Sequence, residues 1–127
     1  LGYARDAASA GDLPLTKAVS SLVFHQVPMA EKRLGLKATR YALIANGEVH
    51  IADYGLQRTL LMRALFRQVQ RLDGFENTTP NAEGILPTLM REAGLDDVAE
   101  RAVVPTSTGS ISLYFGRRSA TGGRSDP

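Results

Sequence analysis

Along the chain the spacing of apolar residues changes several times, and each change marks an element. Ala18-Val19-Ser20-Ser21-Leu22-Val23-Phe24 is a nearly continuous apolar run with β-branched members and no alternation. That pattern predicts a strand buried on both faces in a parallel sheet. Pro28 suits a first helical position and Glu31 a first turn, while Leu34, Ala38 and Tyr41 or Ala42 recur at helical spacing, so a helix is predicted up to Leu43. Asn46-Gly47 is a turn signal, and Val49-His50-Ile51-Ala52 reads as a second short strand ending at Asp53-Tyr54-Gly55. A strand, a helix and a strand joined by short turns form a βαβ unit, right-handed and with parallel strands.

Leu61, Leu65, Val69 and Leu72 then fall on one face of a helix predicted from about Thr59 to Asp73, and residues 74–81 read as a polar loop. Leu86, Leu89, Met90 and Ala93 belong to a further helix, with Pro87 in its first turn and Gly94 as its stop. Residues 98–104 and 111–115 read as two strands joined by Pro105-Thr106-Ser107-Thr108-Gly109, short enough for an antiparallel hairpin. At the other end, residues 1–10 are rich in Ala and stop at Gly11, as the last turns of a helix would. The order is α/β with an antiparallel ending.

Composition narrows the chemistry. With 127 residues the chain has room for one unit, and 43% hydrophobic against 22% charged residues is a globular balance. Without cysteine there is no disulfide framework, no thiolate zinc site and no cysteine nucleophile. Two histidines, His25 and His50, do not make a metal site. A net charge of +2 builds no large field for phosphate backbones, and no aromatic interleaving offers base stacking, so nucleic acid is not the expected partner. No apolar run approaches a membrane span or a signal-peptide core, which leads to the expectation of a cytoplasmic protein. The Gly/Ser-rich residues 119–127 are expected to be a disordered tail.

Two stretches carry a resemblance. Ser20-Ser21-Leu22-Val23-Phe24-His25-Gln26-Val27-Pro28 with Glu31-Lys32-Arg33, and Gly47-Glu48-Val49-His50-Ile51-Ala52-Asp53-Tyr54-Gly55, are similar to class I S-adenosylmethionine-dependent methyltransferases, nearest the ubiquinone/menaquinone-type branch. Asp73-Gly74-Phe75-Glu76-Asn77 and residues 86–95 resemble that family's loop and late helix. The resemblance implies a Rossmann-like sheet of which residues 1–118 supply strands four to seven, with an antiparallel C-terminal hairpin and the N-terminal strands missing. It implies S-adenosylmethionine as cofactor and a small-molecule methyl acceptor. Backbone groups of Ser21 and Leu22, with Ser20, would face the cofactor, and Asp12 would meet its adenine amino group. No G-x-G-x-x-G occurs in the sequence, so the chain would contribute the outer edge of the cofactor site and be weak or inactive alone.

Methyl transfer from a sulfonium needs positioning and dryness, and a base only when the acceptor must lose a proton. His25 suits that base, or else it is a hydrogen-bonded loop histidine. Asp53 and Tyr54 stand where the fifth strand would empty into the acceptor crevice; Asp53 has turn duty as its alternative. Arg63, Arg67 and Arg71 recur every four residues, as a solvated face, a contact for an anionic acceptor or a surface for acidic lipid. A second function, from another class, is a non-catalytic interaction module. Without the first three strands, the leading strand would be a long apolar sheet edge, inviting a homodimer or a partner chain.

Overall fold

A computed structural model describes residues 15–119. The helix expected over residues 1–10, Asp12 and nearly all of the expected tail lie outside the described residues. The order is β1 (Leu15–Ser21), a 3-10 turn (Phe24–Gln26), α1 (Met29–Ala42), β2 (Leu43–Tyr54), α2 (Leu60–Asp73), α3 (Phe75–Ala82), α4 (Ile85–Glu92), β3 (Asp96–Thr106) and β4 (Gly109–Arg117).

The four strands form one sheet in the order β1-β2-β4-β3. β1 runs parallel to β2, while β2 with β4 and β4 with β3 are antiparallel, so the βαβ unit and the closing hairpin both form as the spacing predicts. Val49 and Ile51 of β2 alternate onto the face that meets Leu36 of α1 and Leu86, Leu89 and Met90 of α4, all essentially inaccessible to solvent. A second cluster, Tyr54, Phe66 and Val69, seats α2 at the far end of the sheet.

Several local expectations are corrected. β1 starts three residues earlier than its apolar run and is not buried on both faces: Val19 is 53% exposed on the face away from the core. The strand ends because Leu22 adopts a left-handed backbone (φ 57°), although its N–H still donates to Ala52 O at 2.8 Å. At seven residues, with Thr16 and Lys17 exposed, this edge is neither long nor wholly apolar.

α1 has the expected ends but another buried face. Lys32, Gly35, Leu36, Thr39 and Arg40 point inward, while Leu34 and Tyr41 are 53% and 65% exposed. In α2 likewise Phe66 and Val69 are buried, whereas Leu61 and Leu72 are 63% and 86% exposed. Asn46-Gly47 does not split the chain; Asn46 takes φ 66° within β2, and this segment exchanges backbone hydrogen bonds with Arg118.

Residues 74–81 are not a loop. Gly74 (φ 90°) closes α2 and opens α3, whose first turn is held by Thr78 Oγ1 donating to Gly74 O at 2.7 Å. Thr78 and Asn81, poor helix formers by propensity, are fully buried, and Asn81 is bonded to β2 at Tyr54 O, so burial and tertiary contact override local preference here.

Candidate functional site at the carboxyl ends of β1 and β2

Because β1 and β2 are parallel and pair Ser21 with Ala52, they leave the sheet at the same end. Alternation places Asp53 on the face of Val49 and Ile51, which buries its carboxylate completely. A buried carboxylate needs donors, and the turn after β1 supplies them. The Phe24 N–H donates to Oδ2 at 2.7 Å, and the Tyr54 N–H donates to Oδ1 at 2.9 Å. His25 Nδ1 faces the same Oδ1 at 2.9 Å.

The other ring nitrogen of His25, Nε2, lies 3.2 Å from Oδ2 of Asp73, at the end of α2. The imidazole thus bridges one carboxylate with no solvent contact and one whose side chain is 30% exposed. The Tyr54 ring meets it edge-on at 4.9 Å between centroids, and the Tyr54 hydroxyl is 2.8 Å from Thr108 Oγ1. These carboxylates converge as hydrogen-bond partners; among the described residues no group of three or more His, Asp or Glu is placed to hold a metal ion.

Lys32 reaches this site from the buried face of α1. Its Nζ donates to Val27 O and to Asn77 O, both at 2.7 Å, and the Asn77 amide donates in turn to Gln26 O at 3.2 Å. The turn that carries His25 is thereby tied to the start of α3. Burial pushes the Lys32 ammonium down to about 8, with the negative charge of Asp53 offsetting part of that fall.

On the other side of Asp53 stands its antiparallel neighbour Ser112, whose hydroxyl donates to Glu100 Oε2 at 2.6 Å, while Arg58 Nη2 holds Glu100 Oε1 at 2.6 Å. Burial pushes the Tyr114 phenol up to about 12, opposed in part by its hydrogen bond with Ser112. Gly55 passes so close to the Ser112 and Tyr114 hydroxyls that a Cβ there would overlap both. Gln57 and Asn81 complete the frame. Gln57 donates to Gly55 O and Ser110 O and accepts from the Ser110 N–H, and Asn81 donates to Tyr54 O at 2.8 Å.

Of the residues singled out in the sequence, His25, Asp53 and Tyr54 are brought together. Ser20 is buried next to them in the sheet, and its Oγ has no hydrogen-bond partner; Ser21 is exposed, and the Leu22 N–H is consumed by Ala52. Asp12 lies outside the described residues. His50 is on the opposite face of β2, where Nε2 is 3.0 Å from Glu48 and the ring packs edge-on against Phe115. Sequence reasoning missed Lys32, Asp73 and Asn81 as parts of the site. For Lys32 the signal was present: it stands four residues before Leu36, the helical spacing of one face.

The arrangement of the sheet is shared with solved structures. The chain is similar to an O-methyltransferase family protein from Burkholderia thailandensis, at 17% identity and TM-score 0.62 over 89% of this chain and 33% of that one. The carboxyl-terminal methyltransferase fold accounts for these residues. Human N-acetylserotonin methyltransferase in complex with SAM matches at 15% identity and TM-score 0.55 over 82% of this chain and 29% of that one. PigF with SAH matches at 15% and TM-score 0.58 over 87% and 33%. The chain thus spans about a third of the length of these methyltransferases. No protein-family model and no curated relative matches it. At such identity the methyltransferase likeness establishes the fold, and the chemistry has to come from the site.

Proposed function

We propose that the chain belongs to an S-adenosylmethionine-dependent methyltransferase that methylates a hydroxyl group of a small-molecule acceptor, with His25 taking the hydroxyl proton. The observation that carries this reading is the buried Asp53–His25 pair at the carboxyl ends of two parallel strands, where open α/β sheets place their ligands. The O-methyltransferase among the structural neighbours supports the choice of oxygen as acceptor. The ubiquinone/menaquinone-type branch rests on the sequence resemblance.

Nδ1 of the ring faces Asp53 and Nε2 faces Asp73, and the second contact is the one an acceptor hydroxyl would take over. In the neutral ring Nδ1 keeps its proton toward Asp53, whose oxygens also hold the N–H groups of Phe24 and Tyr54, and Nε2 is open to a hydroxyl. Asp73, the more exposed partner, moves aside for the acceptor and passes the proton to solvent. Tyr54 orients the imidazole through its ring and walls the acceptor side.

The orphaned, buried Ser20 hydroxyl fits a polar ligand at the end of β1; Ser20, Ser21 and the carbonyl of Leu22 would meet the cofactor there, with Asp12 at its adenine by resemblance. When bound, the cofactor supplies an electrophilic methyl group on a sulfonium. The chain's own residues fix the acceptor, exclude water and hold the proton.

The test is methyl transfer to a phenolic acceptor by the methyltransferase that carries this chain and by its His25→Gln variant, with cofactor binding followed by calorimetry. Loss of about 10²- to 10⁴-fold in rate with unchanged cofactor affinity is expected. A variant as fast as the wild type overturns the assignment. A second reading, the interaction module that pairs with itself or another chain, is favoured by the open sheet face with Val19 and Leu113, 53% and 40% exposed. Light scattering that gives a monomer across the micromolar range removes it.

A further inference from the structure

α2 packs one side of its surface and leaves the rest to solvent. Phe66 and Val69 face the sheet. At about 100° per residue Leu61, Leu65 and Leu72 fall on a second strip, roughly a third of a turn away, and Arg63, Arg67 and Arg71 on a third. Leu60 and Leu72, 83% and 86% exposed, are the most exposed large apolar side chains among the described residues, and Phe75, just past Gly74, is half-exposed. The patch continues onto the closing hairpin. Gln68, at the edge of the leucine strip, donates to Ser107 O at 3.0 Å, and Val104, directly opposite Ile111 on the sheet face that meets α2, is exposed as well. Single exposed leucines are ordinary, but a patch that gathers several on one helix face points to a contact.

The charge beside that patch is positive. Arg63 Nε donates to Gln57 O at 3.1 Å, which fixes the stem of that guanidinium and leaves its terminal amino groups for another acceptor. Arg67 and Arg71 have no hydrogen-bond or ion-pair partner among the described residues. The acid of α2, Asp73, turns to His25 Nε2 at 3.2 Å, and α3 brings Glu76 in its first turn and Glu83 at its end, the latter across the groove that Arg63 and Arg67 line. A second copy is a poor occupant. In a two-fold contact through this face the arginine strip would meet its own copy or the leucines, and α2 offers no outward carboxylate in either arrangement. A convex ridge of leucines flanked by guanidiniums instead fits a fluid layer with phosphates at its boundary, the leucines entering the acyl region while the long arginine stems keep their heads at the phosphates. With 14 residues α2 would lie on such a layer; no helix among the described residues is long and apolar enough to cross one.

We propose that the outward face of α2, bordered by Phe75 and Val104, is the surface by which this protein rests on an anionic lipid bilayer. Leu61 and Leu72 enter the layer, and Arg63, Arg67 and Arg71 hold its phosphates. The inference stands on exposure and charge and makes no use of the reaction at His25.

The protein at its full length is mixed with vesicles of phosphatidylcholine alone, or of phosphatidylcholine with about 30% phosphatidylglycerol, in about 0.1 M salt, and the bound fraction is measured by co-sedimentation. Binding to the anionic vesicles is expected to be at least about tenfold tighter than to the neutral ones. Arg67→Gln and Arg71→Gln should each weaken it about fivefold. Leu72→Ser, at a position too exposed to disturb the fold, should weaken it about tenfold. Arg91→Gln on α4 and Leu34→Ser on α1 make the same two changes at exposed positions off this face and should leave binding unchanged. No binding to either vesicle, equal binding to both, or equal losses in the control variants overturns the proposal. So does light scattering that finds a wild-type oligomer which Leu72→Ser dissolves, because a second copy would then cover the face.

Discussion

Replacing Lys32 by methionine should abolish a rise in stability that the wild-type chain shows in alkali. In the folded chain burial holds this ammonium at about 8, against 10.5 for an unhindered lysine. A lysine depressed in the folded state binds fewer protons than in the unfolded state between those two values, so stability increases with pH across that window. The full displacement corresponds to about 3 kcal/mol at 1.36 kcal/mol per pH unit, of which about 2 to 3 kcal/mol is realised by pH 10. Methionine fills a similar volume without charge, which removes the desolvation cost at every pH and leaves Val27 O and Asn77 O without this donor. The measurement is urea unfolding of both chains followed by circular dichroism at pH 7, 8, 9 and 10. Their difference cancels every other titrating group. Parallel curves over pH 8 to 10 would refute the claim that a charged lysine is held dry at this site.

The Tyr114 phenol sets the upper end of the same profile. Raised to about 12 in the folded chain, it withdraws stability as pH climbs from 10 toward 12, so wild-type stability should peak near pH 10, and Tyr114→Phe should soften the fall above it. Asp53→Asn puts an amide donor against at least one of the Phe24, Tyr54 and His25 donors and should cost about 2 to 4 kcal/mol in urea unfolding; a loss below 1 kcal/mol counts against a fully bonded Asp53. Gly55→Ala drives a methyl group into the Ser112 and Tyr114 hydroxyls and should cost about 1 to 3 kcal/mol, which thermal denaturation would show as a lowered midpoint.

The elements visible in the sequence are those whose apolar spacing and caps agree. Thr59 accepts from the Met62 N–H at 3.0 Å and starts α2 where the pattern put it, and the hairpin of β3 and β4 forms as expected, with its connection shortened from the five residues read in the sequence to Ser107 and Thr108 because Pro105, Thr106 and Gly109 join the strands. What the pattern misreads is which face of a helix goes inward. Counting apolar letters in α1 selects Leu34 and Tyr41, yet the helix turns Lys32, Thr39 and Arg40 to the interior because each finds a carbonyl or another partner there. The long-range hydrogen bonds of Lys32 and Arg40 leave no periodic trace. The same holds for α3: its polar residues look like a loop until Asn81 is given its acceptor at Tyr54 and Thr78 closes the first turn on Gly74.

Those misread positions are also where the site is assembled. Asp53 is buried by the alternation of β2, and a buried carboxylate is tolerable only if donors converge on it. Three donors come from residues adjacent to the strand ends, but the segment that delivers His25 is a short 3-10 turn with little packing of its own. Lys32 supplies the missing constraint by bonding the turn at Val27 and α3 at Asn77, and α3 begins two residues after Asp73, the second partner of His25. The polar residues that break the hydrophobic pattern of α1 and of residues 74–81 therefore act as one frame, and their departure from amphipathic spacing follows from fixing a histidine between two carboxylates.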